Sequence, residues 1–534
     1  MAYLRVLLLK QNVVEFADAL KQDEGNAPPE PIALKSGLGL DGVLYLRPPV
    51  QKPPAWLAFV QSGTELPIDY KTATAGALVL LRAHGRMFAI PFGYGRLLLK
   101  PSSYVRDFGV KVALNSIEPE QGIRSLDTRT VEELTVHTKV LVSRATNLSV
   151  FRMNKTRDLL RSLGGKPREG LPFGRKLEGA DAFSVSMDVA FGELADCCGT
   201  LKELYESDRY IENGFGFFDN LRIVSEPDLI EELDAKLDEA LAEGDATNIH
   251  LSLPDAMDLG DVEWYKYRGH GAQFDDMDID EMLSELTTAG LLPTAEWLKG
   301  HYLRIGFSGA PEHDYPKCEL YECLVFETRL DDDAVYILSA GEWHRASDAF
   351  VASVDQRVAQ LPVCEEALPP CADGQDEGAY NLVAAPALGF ACMDKENINF
   401  GGYDKLEFCD LLDAGGRFFH VKKRSKSSTL SHLFMQGLNS ARLFLESPEF
   451  RALAKAKVET VSAAHAGVIP QAAPDTSQYE VVFAVIARPD QPVPSRLPFF
   501  SRLSLAETSE IITGMGYRVS VAHIPQVPGA VAAA

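Results

Sequence analysis

The chain of 534 residues reads as an α+β protein of several domains, ending in an α/β unit on a mixed sheet. Three observations carry this reading. Short apolar runs broken by Gly and Pro fill the first part, as in "LRVLLL", "GVLYLRP", "PAWLAFVQ" and "GALVLLRAHGRMFAIPFGYGRLLL". That spacing is typical of short antiparallel strands. An amphipathic helix with start and stop signals stands near the middle, and residues 389–524 alternate strand and helix patterns. One hydrophobic core stops growing well below this length. We therefore expect a β-rich N-terminal domain over 1–125, a mixed α/β middle domain over 126–300 and a C-terminal domain over 301–534.

In chain order, "GRMFAIPFGYGR" is a strand entering a tight turn; its Gly-Tyr-Gly lacks the six-residue pattern and acidic partner of a dinucleotide loop. "SEPDLIEELDAKLDEALAEG" predicts a helix, with Ser225 and Asp228 as its start, Leu229, Leu233, Leu237 and Leu241 four apart, and Gly244 as its stop. Its acids read as a solvated face. "FDDMDIDEMLSEL" has the acid density of a calcium loop without its glycine or terminal glutamate spacing. "YECLVFETRL" and "AVYILSAGEWHRA" predict a strand hairpin, followed by a loop over 361–377. Then come strands at 389–394, 405–412 and 417–424, a helix at 427–445, a strand at 479–487, a helix at 505–515 and a strand at 518–524.

The composition, 46% hydrophobic and 24% charged, is that of a folded globular chain. The start has one base before a short apolar run and no cleavage pattern, and no apolar stretch is long enough to span a bilayer, so the expectation is a cytoplasmic protein with no membrane partner. The eight cysteines contain no C-x-x-C pair, which favours free, mostly buried thiols over zinc or disulfides. A net charge of −24 excludes a wholly basic surface, yet the charge is segregated. Residues 139–176 hold about ten Lys or Arg against two acids, whereas 226–285 hold about nineteen acids against three bases. Arg144, Arg152, Lys155, Arg157 and Arg161 are therefore candidates for contacts with nucleic-acid phosphates. The competing expectation is that this segment pairs internally with the acidic one.

The segment "KLEFCDLLDAGGRFFHVKKR", residues 405–424, concentrates the chemistry. Asp410 ends one predicted strand, Gly415-Gly416 make the turn, and the next strand carries His420, Lys422, Lys423 and Arg424. Side chains on a strand repeat every two residues, so His420 and Lys422 share a face and a hairpin brings Asp410 beside them. A carboxylate and a neutral imidazole can ligate Mg²⁺ or Mn²⁺, while an ammonium meets charge developing on phosphate. The bland alternative is a charged, exposed edge strand that resists aggregation. The helix that follows sets Ser428, His432 and Gln436 in a polar stripe beside Leu430, Phe434 and Leu438. There is no Walker A loop, nucleophile elbow, H-E-x-x-H pair or kinase set.

Asp410 followed by His420-Val421-Lys422, in this order of elements, resembles the core of the PD-(D/E)xK nuclease superfamily. That resemblance implies a restriction-endonuclease-like mixed sheet, Mg²⁺ or Mn²⁺ held by Asp410 and His420, and catalytic roles for Asp410, His420, Lys422 and Gln436. Lys423 and Arg424 would join the nucleic-acid surface. His420 departs from the Glu or Gln usual there and is a poorer Mg²⁺ ligand. From "FGYGRLLL" and "FGFFDNLRI" to "SSTLSHLFMQGLNSARLF" and "PFFSRLSLAE", the chain also resembles an uncharacterised family of sporadically distributed bacterial proteins of about this length. Such distribution implies mobile DNA and a defence or conflict role. The functional expectation is a metal-dependent nuclease acting on DNA or RNA; the alternative is a degenerate core that binds nucleic acid or a partner without cutting.

Overall fold

Alternation of inward apolar residues along the early strands, such as Leu4, Val6 and Leu8, builds one large sheet. In the computed structural model, which describes residues 2–21, 29–54, 56–130, 135–156, 158–244, 246–254, 262–307, 317–400, 403–424 and 427–528, this sheet has ten strands. They run from Ala2–Leu8 to Phe183–Met187 in sequence, every pair antiparallel. The helices Phe108–Ser116 and Leu194–Glu206 bury Phe108, Val112 and Leu201 in its core. The boundary expected at residue 125 falls inside the strand Ile123–Thr130 of this sheet.

The second unit joins Leu221–Ile223, Glu342–Ala346, Val335–Ser339, Leu324–Arg329 and Ile249–Leu251 in an antiparallel sheet. The predicted hairpin is its centre, and the unit therefore continues past residue 300. Helix α1 (Pro227–Glu243) buries Leu233, Leu237 and Leu241 and stops at Gly244, whose φ of 67° suits glycine. Glu226 rather than Ser225 is its N-cap. Its acids are not all a solvated face: Asp234 accepts from Tyr321 Oη at 2.6 Å, Trp343 Nε1 at 2.9 Å and Lys299 Nζ at 2.6 Å. Helix α2 (Asp348–Ala359) lies on the same sheet through Phe350, Val354 and Val358.

The last unit begins with α3 (Glu377–Leu388), β1 (Ala391–Cys392), β2 (Leu411–Leu412) and β3 (Arg417–Lys423). It continues through α4 (Ser427–Glu446), α5 (Pro448–Val461), β4 (Glu480–Ala487), α6 (Phe499–Gly514) and β5 (Arg518–Val527). β2 is antiparallel to its neighbours β1 and β3, whereas β3, β4 and β5 are parallel, with Cys371–Ala372 adding a parallel edge beyond β5. Val481–Ile486 is buried on both faces, as expected of a central parallel strand. Phe418, Phe483 and Val485 pack with Leu430 and Phe434 of α4, while Phe419 and Val421 pack with Tyr380 and Ala384 of α3.

Two departures from the predicted elements have physical causes. The strand expected at 405–412 is broken: Tyr403–Glu407 pairs with Asn397–Phe400 in a separate hairpin, and only Leu411–Leu412 joins β3. Phe408 leaves the strand path to enter a cluster with Phe418, Phe444 and Phe450, at ring separations of 4.7, 5.5 and 6.2 Å. Helix α6 starts at Phe499 instead of residue 505 because its N-terminus is capped from afar. The carboxylate of buried Glu327 accepts the amides of Phe499 at 2.6 Å and Phe500 at 3.2 Å. Phe499, Phe500, Leu503 and Ala506 then pack with α2 and the second sheet. All eight cysteines are free; five are buried and three half-buried.

Candidate active site

β3 runs past the end of its antiparallel neighbour, because the register with β2 stops at Leu411 opposite Phe419. The amides of β3 left along that edge are taken by carboxylates. Arg417 N–H donates to Asp413 Oδ1 at 2.7 Å, Val421 N–H to Asp410 Oδ2 at 2.6 Å, and Lys423 N–H to Glu377 Oε1 at 3.0 Å. A buried amide must find an acceptor, so Asp410 and Glu377 stand in for the missing strand. The other oxygen of Glu377 accepts the Lys422 ammonium at 2.8 Å. Glu377 opens α3, whose N-cap Asp376 accepts Ala379 N–H at 2.7 Å. An aspartate, a glutamate and a lysine thus meet where β2 and β3 part.

The environment raises the affinity of Asp410 for a proton. Burial pushes its carboxyl up to about 7, with Asp394, Glu407 and Glu377 adding like charge and the Val421 amide opposing the shift. Asp394 lies by the start of α3, its Oδ2 3.0 Å from where a Cβ on Gly378 would sit. This crowding of carboxylates around Asp410 disfavours its anion and favours a cation beside it.

His420 does not join this group as expected. It is buried on the α4 side, its ring centroid 6.3 Å from that of Phe483 and its Cδ2 3.4 Å from where a Gly437 Cβ would sit. Burial pushes its pKa down to about 4, and its Nε2 has no hydrogen-bond partner. Nor is it an exposed residue of an edge strand, since β4 pairs along the other side of β3. Among the described residues no three His, Cys, Asp or Glu side chains form a group able to hold a metal ion. In place of the Asp410–His420 metal pair drawn from the sequence, the imidazole packs against Phe483 and α4 while Asp410 accepts the Val421 amide. Gln436, half-buried on α4, makes no hydrogen bond to Asp410 or Lys422; His432 is exposed. The side chain of Ser428 lies outside the described residues.

The basic residues occupy two places. Arg144 and Arg152 are exposed in the first unit, Arg144 on the edge strand His137–Thr146. Lys155 and Arg161 line a cleft between the first and second units, and Arg157 lies outside the described residues. Lys423 and Arg424 are half-buried at the end of β3 and do not line that cleft. Asn154 Nδ2 donates to Glu507 of α6 at 2.7 Å, and Thr156 Oγ1 to the same carboxylate, so part of this segment docks on α6. Arg129, outside the segment, reaches the acidic unit through Ser252 Oγ at 3.3 Å.

Glu377 was absent from the sequence-derived site. The signal available was Asp376 ahead of "EGAYNLVAAPAL", an N-cap before an apolar run, obscured by Pro386 inside the helix. A family model described as a family of unknown function, DUF6119, matches residues 4–525. No curated protein and no solved structure matches the chain.

Proposed function

We propose, for a chain that belongs to the DUF6119 family of unknown function, that the last unit is a divalent-metal-dependent nuclease with Asp410, Glu377 and Lys422 as its site. The observation that carries this reading is their convergence at the open end of β3. In this reading Glu377, rather than His420, supplies the second metal ligand.

The residues present fit a hard cation that keeps most of its water. Mg²⁺ commonly takes only one or two protein carboxylates and fills its other positions with water and substrate phosphate. Asp410 and Glu377 would hold it; the crowded charge around Asp410 is the feature of this site that a cation relieves. When bound, such an ion polarises a phosphate and lowers the pKa of a water on it. The chain's own part is electrostatic. Lys422, part-exposed, offers its ammonium to a phosphate oxygen, and Asp410 supplies its carboxylate to the ion.

The test is incubation of the full chain with labelled single- and double-stranded DNA and RNA in Mg²⁺, Mn²⁺ or EDTA. Cleavage should require metal, and Asp410→Asn, Glu377→Gln and Lys422→Met should each slow it by about 10²-fold or more. Cleavage untouched by these variants, or persisting in EDTA, sinks the assignment. A second reading, a core that binds nucleic acid without cutting, is favoured by the Lys422–Glu377 pair and by the burial of His420. Metal-independent binding with no product under any condition would select it.

A further inference from the structure

A cleft of about 410 Å³ lies where the first unit meets the second. Its walls are the helix Phe108–Ser116, the strand Asp158–Gly165 with the residues leading into it, the segment 208–223, and His344. The volume falls in the range of small-ligand sites. A crease between packed units would leave nothing chemical pointing into it. This one differs in its rings, its cations and one buried nitrogen.

Phe217 and Phe218 are only half-buried, and Lys155 Nζ stands 5.6 Å from the Phe217 ring centroid. The Lys155 carbonyl is held by Asn220 Nδ2 at 3.3 Å, which fixes the residue on the rim. Across the cleft Lys111 Nζ lies 5.3 and 5.4 Å from the ring centroids of Tyr205 and Tyr210. Both lysines lie against ring faces; Lys111 also faces the carboxylate of Asp107 on the same wall, and Lys155 on the exposed rim is the cation most open to an anion. Tyr210 is fixed from both ends, its amide donating to Asn115 Oδ1 at 2.8 Å and its hydroxyl to Asp219 Oδ2 at 2.7 Å. His344 brings a buried Nδ1 with no partner, and the carboxylate of Asp208 lines the same space. Asp107, Asp158 and Asp219 line it too, balanced by Arg106, Arg161 and Arg222 besides the two lysines. Flat aromatic surface with ammonium groups beside it, and an imidazole and carboxylates able to meet ring nitrogens and amino groups, complement a base carrying a phosphate.

We propose that this cleft binds a nucleotide unit, with the base on Phe217 and the phosphate between Lys155 and Lys111. The unit belongs either to a free mononucleotide or to a single strand of nucleic acid. The site is remote in sequence from Asp410 and does not depend on the nuclease reading. Binding is therefore measured by calorimetry on the full chain in EDTA, with no cleavage scored, using adenosine 5′-monophosphate, adenosine and a ten-nucleotide oligo(dA) as probes. The phosphate-bearing probes should bind more tightly than adenosine, and Lys155→Glu and Phe217→Ala should each weaken them about tenfold or more. Binding of the monophosphate assigns a free nucleotide; binding of the oligonucleotide alone assigns a single strand. Should Phe217→Ala fail to fold, Lys155→Glu, an exposed change, carries the test. No binding by either phosphate-bearing probe, or binding that Lys155→Glu leaves unchanged, overturns the proposal.

Discussion

Replacing Asp410 with Asn or with Ala separates the two things its carboxylate does. As an acceptor, Oδ2 holds the Val421 amide at 2.6 Å. Asn keeps an acceptor oxygen there; Ala leaves an amide without a partner, at a cost of about 1–3 kcal/mol. Converted to opening of that amide, Asp410→Ala should speed hydrogen exchange at Val421 by roughly 5- to 150-fold, while Asp410→Asn changes it little. As an acid, Asp410 has its pKa raised from 3.8 to about 7 in the fold. The folded state then holds a proton that the unfolded chain releases, so stability rises as pH falls from about 7 towards about 4 and is flat above 7. Between pH 7.5 and 5.5 this one group contributes an increase of on the order of 2 kcal/mol. Asp410→Asn, uncharged throughout, should lose that increment and be more stable than the parent at pH 7.5. The assays are exchange by mass spectrometry and denaturant unfolding, both in EDTA. Equal exchange in all three proteins, or a parent whose stability falls over that window as steeply as the Asn variant's, refutes the reasoning. Asp410→Ala is thus not the structurally silent change that an exposed strand-end acid would make it.

Three further outcomes follow from the packing. His420 should show no imidazole titration by NMR between pH 7.5 and 5.5, because burial holds its pKa near 4; a midpoint above 6 would mean that the ring reaches solvent. Gly437→Ala should lower the melting temperature, because the new methyl lies 2.6 Å from Phe483 Cε1 and overpacking costs about 1–3 kcal/mol against a helix gain of about 1. A higher melting temperature would place α4 further from the sheet. Glu327→Ala leaves two buried amides of α6 without their acceptor and should cost roughly 3 kcal/mol in urea unfolding, with Glu327→Gln costing less. A change in the Ala variant within about 0.5 kcal/mol contradicts the cap.

What could be read from the sequence was what repeats locally. The order of strands and helices after residue 389 follows from runs such as "YEVVFAVIA" and "RFFHVKK", whose apolar residues on both faces require layers on both sides. The free thiols follow from the absence of metal or disulfide spacing. Contacts made by side chains far apart in sequence were not legible. The break at Asp410 depends on which amide its carboxylate meets, and Glu377 reaches Lys422 across 45 positions. His420 looks like a ligand by its spacing to Lys422, but whether a strand residue faces solvent or a helix is decided by how α4 folds back over the sheet, and Gly437 lets it come close. The first sheet shows the same limit, since Ala2–Leu8 pairs with Phe183–Met187 across residue 125.

Helix α6 gives the chain an indivisible character. Its N-terminus is held by Glu327 of the second unit, Arg502 and Glu510 are bound to Asp355 and Arg357 of α2, and Glu507 receives Asn154 and Thr156 of the first. One helix is thus a shared keystone with a footing in three places. A gene fragment encoding only the last unit would produce a protein with Phe499, Phe500 and Leu503 stripped of their cover, prone to self-association. Recombination that swapped the front of this chain for another would carry the same penalty, so its three units have a physical reason to be inherited as a single block.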